Sequence, residues 1–103
     1  MTTYELLGIR IGSSPDIEIV STDDKVVEWI TEQIKKLSPT VKIEKDTNFH
    51  LRFYGMKYKQ HSIGLWLVQQ LCRDGWEPFG NIEVVRYIGF AQVTLRKAQE
   101  KST

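Results

Sequence analysis

Residues 62–79, S-I-G-L-W-L-V-Q-Q-L-C-R-D-G-W-E-P-F, constrain the fold more than any other stretch of the chain. Wound at ~100° per residue, Ile63, Gly64, Leu67, Val68, Leu71 and Cys72 share one broad apolar face, with Leu65 at its margin. Trp66, Gln69, Gln70 and Arg73 fall on the other side. The spacing predicts a helix over 62–74, with the Ser62 hydroxyl as its N-cap. Asp74-Gly75 is the stop: Gly75 can take positive φ, which lets Trp76 fold back on Leu71. Pro78 then holds Glu77 extended, so a strand begins where the helix ends.

A second helix is expected from the Ser21-Thr22-Asp23-Asp24 cluster to about Leu37. Val26, Val27, Ile30, Ile34 and Leu37 share its apolar face, with Trp29 at the flank. Its acids stand at the start and Lys35 and Lys36 at the end, as the helix dipole favours.

Strands account for the rest. Tyr4–Ile11 reads as a strand with Leu7, Ile9 and Ile11 on one face. Gly12–Pro15 is a turn, and 16–20 a short partner strand. Residues 41–45 and 49–54 form a second pair, with Phe49, Leu51 and Phe53 inward and His50, Arg52 and Tyr54 outward. Trp76–Phe79 is expected extended, Gly80-Asn81 a turn, and 83–96 one long strand with a bulge at Gly89. Residues 98–103 are polar and expected to fray. The order strand-strand-helix, twice, then strand-strand predicts an α+β fold: two helices on one face of an antiparallel sheet, a ferredoxin-like sandwich. The other face would carry Tyr4, His50, Arg52, Tyr54 and Phe90, open to solvent or covered by a second subunit.

The chain of 103 residues has room for one domain, 1–103. A net charge of +1 gives no global field to hold nucleic acid or a membrane. No apolar run approaches the ~20 residues of a membrane span. A single cysteine and no signal pattern at Met1-Thr2-Thr3-Tyr4 fit a reducing, cytoplasmic setting.

No catalytic residue can be assigned, and no metal or cofactor is called for. Cys72 is expected to be buried at the negative end of its helix, which opposes thiolate formation. G-x-S-x-G, phosphate-binding glycine loops and H-E-x-x-H are absent. The first expectation is a non-catalytic interaction or oligomerisation domain, binding a protein partner or itself as a homodimer. Trp66, Gln69, Gln70 and Arg73 would make the contact, since interfaces favour Trp and Arg. The alternative is single-stranded nucleic acid on the basic aromatic segment 50–61, with Tyr54 and Tyr58 stacking bases while Arg52, Lys57 and Lys59 meet phosphates. A third is a small-molecule enzyme with a site at a subunit interface around His50, Tyr54 and His61.

Arg86, Gly89 and Phe90 match the aromatic strand motif of RNA-recognition domains, but too little chain follows Arg96 to complete that fold. The segment L-V-Q-Q-L-C-R-D-G-W-E-P-F with the closing strand F-A-Q-V-T-L-R-K resembles a group of small bacterial domains of unknown function. In these a helix-Gly-Trp-Glu join leads into a terminal hairpin. Leu71, Gly75, Trp76 and Glu77 carry the likeness, while Pro78 departs from the usual apolar residue. The resemblance implies a small α+β fold and self-association, and no catalytic residue.

Overall fold

The computed structural model describes residues 3–79, 83–85 and 90–99, with backbone alone for 83–85 and 90. The chain order is β1 (Tyr4–Ile11), β2 (Ile17–Ser21), α1 (Asp24–Leu37), β3 (Lys42–Thr47), β4 (His50–Tyr54), α2 (Gln60–Arg73), β5 (Glu77–Pro78), β6 (Glu83–Val85) and β7 (Phe90–Ala98). The strands form one sheet in the order β3-β4-β2-β1-β7-β5, with β6 also paired to β7. Every pairing is antiparallel. Both helices lie on one face, α1 over β2 and α2 over β1, and they touch each other. This is the expected α+β arrangement, and it is compatible with a ferredoxin-like sandwich.

Alternation builds the core. Leu7, Ile9 and Ile11 of β1, Ile17 and Ile19 of β2, Leu51 and Phe53 of β4, and Val93 and Leu95 of β7 all point inward and are buried. Period-two patterning puts every second residue of a strand on one face. Val26, Val27, Ile30 and Ile34 cover them from α1, and Ile63, Leu67 and Leu71 from α2. Burying a side chain of this size is worth ~1.5–3 kcal/mol.

Helix α1 is capped as its sequence requires: the Asp23 carboxylate accepts the Lys25 amide at 3.0 Å. Helix α2 starts two residues before Ser62, and no side chain caps it. A tertiary contact fixes its start instead. Gln60 is buried, and its Nε2 donates to the Gly12 carbonyl at 3.1 Å, tying the helix to the β1–β2 turn. The stop is as expected: Gly75 has φ of 98° and Trp76 donates its amide to the Leu71 carbonyl at 3.0 Å. Trp76 itself is buried.

Further expectations are corrected, among them Leu37, which is 42% exposed at the end of α1 rather than part of its buried face. Cys72 is exposed, because the buried stripe centres on Ile63, Leu67 and Leu71 and its rim turns away from the sheet. Phe49 is exposed, since it stands in the turn before β4 rather than on the strand. The stretch 83–96 is not one strand: Glu83–Val85 folds back antiparallel on Phe90–Gln92. Residue 98 does not fray, because Ala98 pairs with Tyr4 and Gln99 donates its amide to the Thr3 carbonyl at 3.0 Å. The expected turn at Gly80-Asn81, the bulge at Gly89 and residues 100–103 lie outside the described residues, as do Arg86 and the Phe90 side chain.

Candidate interaction surfaces

The sheet face opposite the helices carries the even-numbered residues of β1, β2, β4 and β7. One cross-strand row runs Glu44, Arg52, Glu18, Arg10 over β3, β4, β2 and β1, each directly opposite the next. Opposite charges at directly opposed positions attract. Arg52 is the hub: Nε donates to Glu18 at 3.2 Å, and Nη1 reaches Glu44 at 3.0 Å and Asp46 at 2.6 Å. Partial burial pulls the Arg52 pKa down, but the Asp46 hydrogen bond and the charges of Asp46, Glu18 and Glu44 outweigh that and hold it above its ordinary value. His50 stands between two carboxylates, its Nε2 2.6 Å from Glu18 and its Nδ1 3.4 Å from Asp46. These lie against opposite ring nitrogens, so they cannot converge on one ion. Among the described residues no group of His, Cys, Asp and Glu could hold a metal.

Beside the charged row the same face is apolar. Leu6 is 40% and Val20 52% exposed. Further along, the Arg96 guanidinium lies 4.5 Å from the Tyr4 ring centroid and 5.2 Å from that of Phe79, with Glu77 at 2.7 Å. Cation–π contacts of this kind hold exposed rings in place.

The residues singled out on α2 fall on two surfaces. Trp66 is 37% exposed, and Leu65 next to it is 67% exposed. Gln69 faces solvent, whereas Gln70 and Arg73 turn towards α1 and line a groove between the helices. That groove holds about 690 Å³. Val26, Leu71 and Trp76 are its buried, apolar members, and Lys25, Trp29 and Lys97 border it.

The basic aromatic segment also divides. Arg52 and Tyr54 belong to the sheet face, and Arg52 is matched by three carboxylates. Lys57, Tyr58 and Lys59 lie on the loop before α2, where Tyr58 is 94% exposed. Lys57 and Tyr58 hold positive φ, 51° and 67°, a conformation unusual for residues other than glycine. The loop can hold it because Met56 is fully buried and donates its amide to the Asp16 carboxylate at 2.9 Å. The one sequence sign of this anchor is a lone methionine inside a polar loop. His61 is exposed on the first turn of α2, in the helix layer, so it does not join His50 and Tyr54 on the sheet face. His50 instead borders a depression of about 280 Å³ with Gly8, Arg10, Glu18, Val20 and Gln92.

No helix among the described residues is long and apolar enough to cross a membrane. The sequence matches no family model and no curated protein. The fold is found among solved structures: the chain is similar to a conserved kinetoplastid-specific protein from Trypanosoma cruzi, with a TM-score of 0.53, 16% sequence identity, and coverage of 94% of this chain and 98% of that one. At that identity the likeness is one of fold.

Proposed function

We propose that this protein is a non-catalytic oligomerisation domain whose open sheet face docks a second copy of itself. The observation that carries the reading is the row Glu44, Arg52, Glu18, Arg10, whose signs alternate across four strands. A two-fold axis parallel to the strands, running between β4 and β2, reverses that row. Arg10 of one copy then faces Glu44 of the other, and Glu18 faces Arg52. An isologous dimer needs this self-complementarity.

In an isolated chain such a row is simply solvated, as one face of an antiparallel sheet commonly is. Leu6 and Val20, exposed beside it, are what a second copy would cover. The charges would set orientation more than affinity, and the apolar neighbours would supply affinity. Four strands at ~4.8 Å spacing make a patch smaller than the ~800 Å² per partner of a standard interface, so a weak, reversible dimer is expected.

Sedimentation velocity across a concentration series tests this. The wild type should self-associate below ~1 mM, and Val20→Lys should be monomeric. A wild-type chain that stays monomeric throughout, with no concentration-dependent change in the amide spectra of β2 and β4, overturns the proposal.

One observation favours a second reading. Tyr58, almost wholly uncovered between Lys57 and Lys59, is an open stacking platform with two cations beside it. Single-stranded nucleic acid on this loop would use those three residues and not Arg52, whose charge is already matched.

A further inference from the structure

We infer that the groove between α1 and α2 is a binding site for a small planar aromatic acid, a role separate from association through the sheet. The groove is bounded by the first turns of α1, the last turn of α2 and the end of β7. Its volume, about 690 Å³, lies within the ~300–1,000 Å³ of small-molecule pockets.

Charge accounting points to an anion. Three cations, Lys25, Arg73 and Lys97, line the groove against two acids, an excess of one positive charge. Asp23 accepts the Lys25 amide at 3.0 Å, and Asp74 pairs with the Lys97 ammonium at 3.1 Å. The Lys25 ammonium and the Arg73 guanidinium have no carboxylate partner among the described residues. Both line the groove, one from each helix. A guanidinium and an ammonium together suit a carboxylate, the first by its planar fork and the second as a point charge.

The apolar part points to a flat ring. Trp29 is half-buried, so part of its indole is open at the wall, and Val26, Leu71 and Trp76 are buried beneath. An aromatic face offered beside apolar floor favours a ring stacked or edge-on against it. A ligand with only the charge would leave that floor wet, and one with only the ring would leave both cations unmatched.

The test uses 1-naphthoate as probe and 1-naphthamide as its neutral counterpart. Calorimetry gives affinity, and the three indole N–H resonances of the intact protein report location. The expected result is sub-millimolar binding of 1-naphthoate that shifts the resonances of Trp29 and Trp76 and spares Trp66. The amide should bind about tenfold more weakly, as should 1-naphthoate to the Lys25→Gln/Arg73→Gln variant. Both changes fall on exposed side chains, so the variant should keep the wild-type fold, which its Trp66 resonance reports. No shift at Trp29 up to ~5 mM probe, equal affinity for acid and amide, or unchanged binding to the variant would each overturn the inference.

Discussion

A Cβ placed on Gly64 would stand 2.3 Å from Cδ1 of Ile11 and 2.7 Å from its Cγ1. Helix α2 therefore crosses β1 at the one helical position without a side chain, and Ile11, itself buried, fills the gap. Gly64→Ala gains up to ~1 kcal/mol of helix propensity but overpacks this contact by ~1–3 kcal/mol. A net loss of stability is expected in urea denaturation. Ile11→Ala removes both Cδ1 and Cγ1, so Gly64→Ala should cost less stability in that background than in the wild type, a coupling that a double-mutant cycle measures.

The two tryptophans of α2 and its stop should behave differently. Trp76 is 3% exposed and Trp66 37%. Trp76→Ala should cost ~3–5 kcal/mol, a large part of what holds a domain of this size together. Trp66→Ala should cost clearly less. Thermal melts of both variants check the order, and equal losses would contradict the burial described.

Arg52 offers a test of the charged row. Its replacement by methionine leaves Glu18, Glu44 and Asp46 facing one another without their shared cation. The variant should melt below the wild type, and the gap should narrow in ~1 M salt, where the Debye length is about 3 Å. The sign of its pH dependence follows from linkage. A cation with a raised folded pKa contributes fully below its unfolded pKa and loses that contribution only as pH rises through the folded value. Both values are strongly alkaline for arginine, so Arg52's own titration should add no pH dependence between about pH 8 and 9. The difference in melting temperature between wild type and Arg52→Met would show this.

On the loop before α2, Tyr58→Ala should leave stability almost unchanged, since the ring is exposed. If single-stranded nucleic acid binds there, the same change weakens it by ~1–3 kcal/mol and binding falls with salt. Fluorescence anisotropy with a mixed oligonucleotide at low salt decides, and absence of binding removes that reading.

The layers and most strands were legible because alternation and the ~100° period are local signals. Leu7, Ile9 and Ile11 announce a half-buried strand by themselves, and Asp74-Gly75-Trp76 announces a helix stop. What was not legible depended on partners far along the chain. The start of α2 is set by Gln60 reaching Gly12, which no nearby residue foretells. The exposure of Cys72 depends on how wide a stripe the sheet can cover. The charged row needed the register of four strands: Glu18, Glu44 and Arg52 read singly as ordinary surface residues. Even the splitting of Trp66, Gln69, Gln70 and Arg73 between solvent and groove required knowing where α1 lies.

Strand β1 takes β2 on one side and β7 on the other. The first neighbour follows it at once in the chain, while the second comes only with residues 91–98. During synthesis on the ribosome, β1 therefore waits with one edge open until nearly all of this segment has emerged. Ladders closed so late are slow to form and expose a growing chain to wrong pairings. A nascent chain stalled before residue 91 should be sensitive to protease throughout, however well its two helical patterns are written.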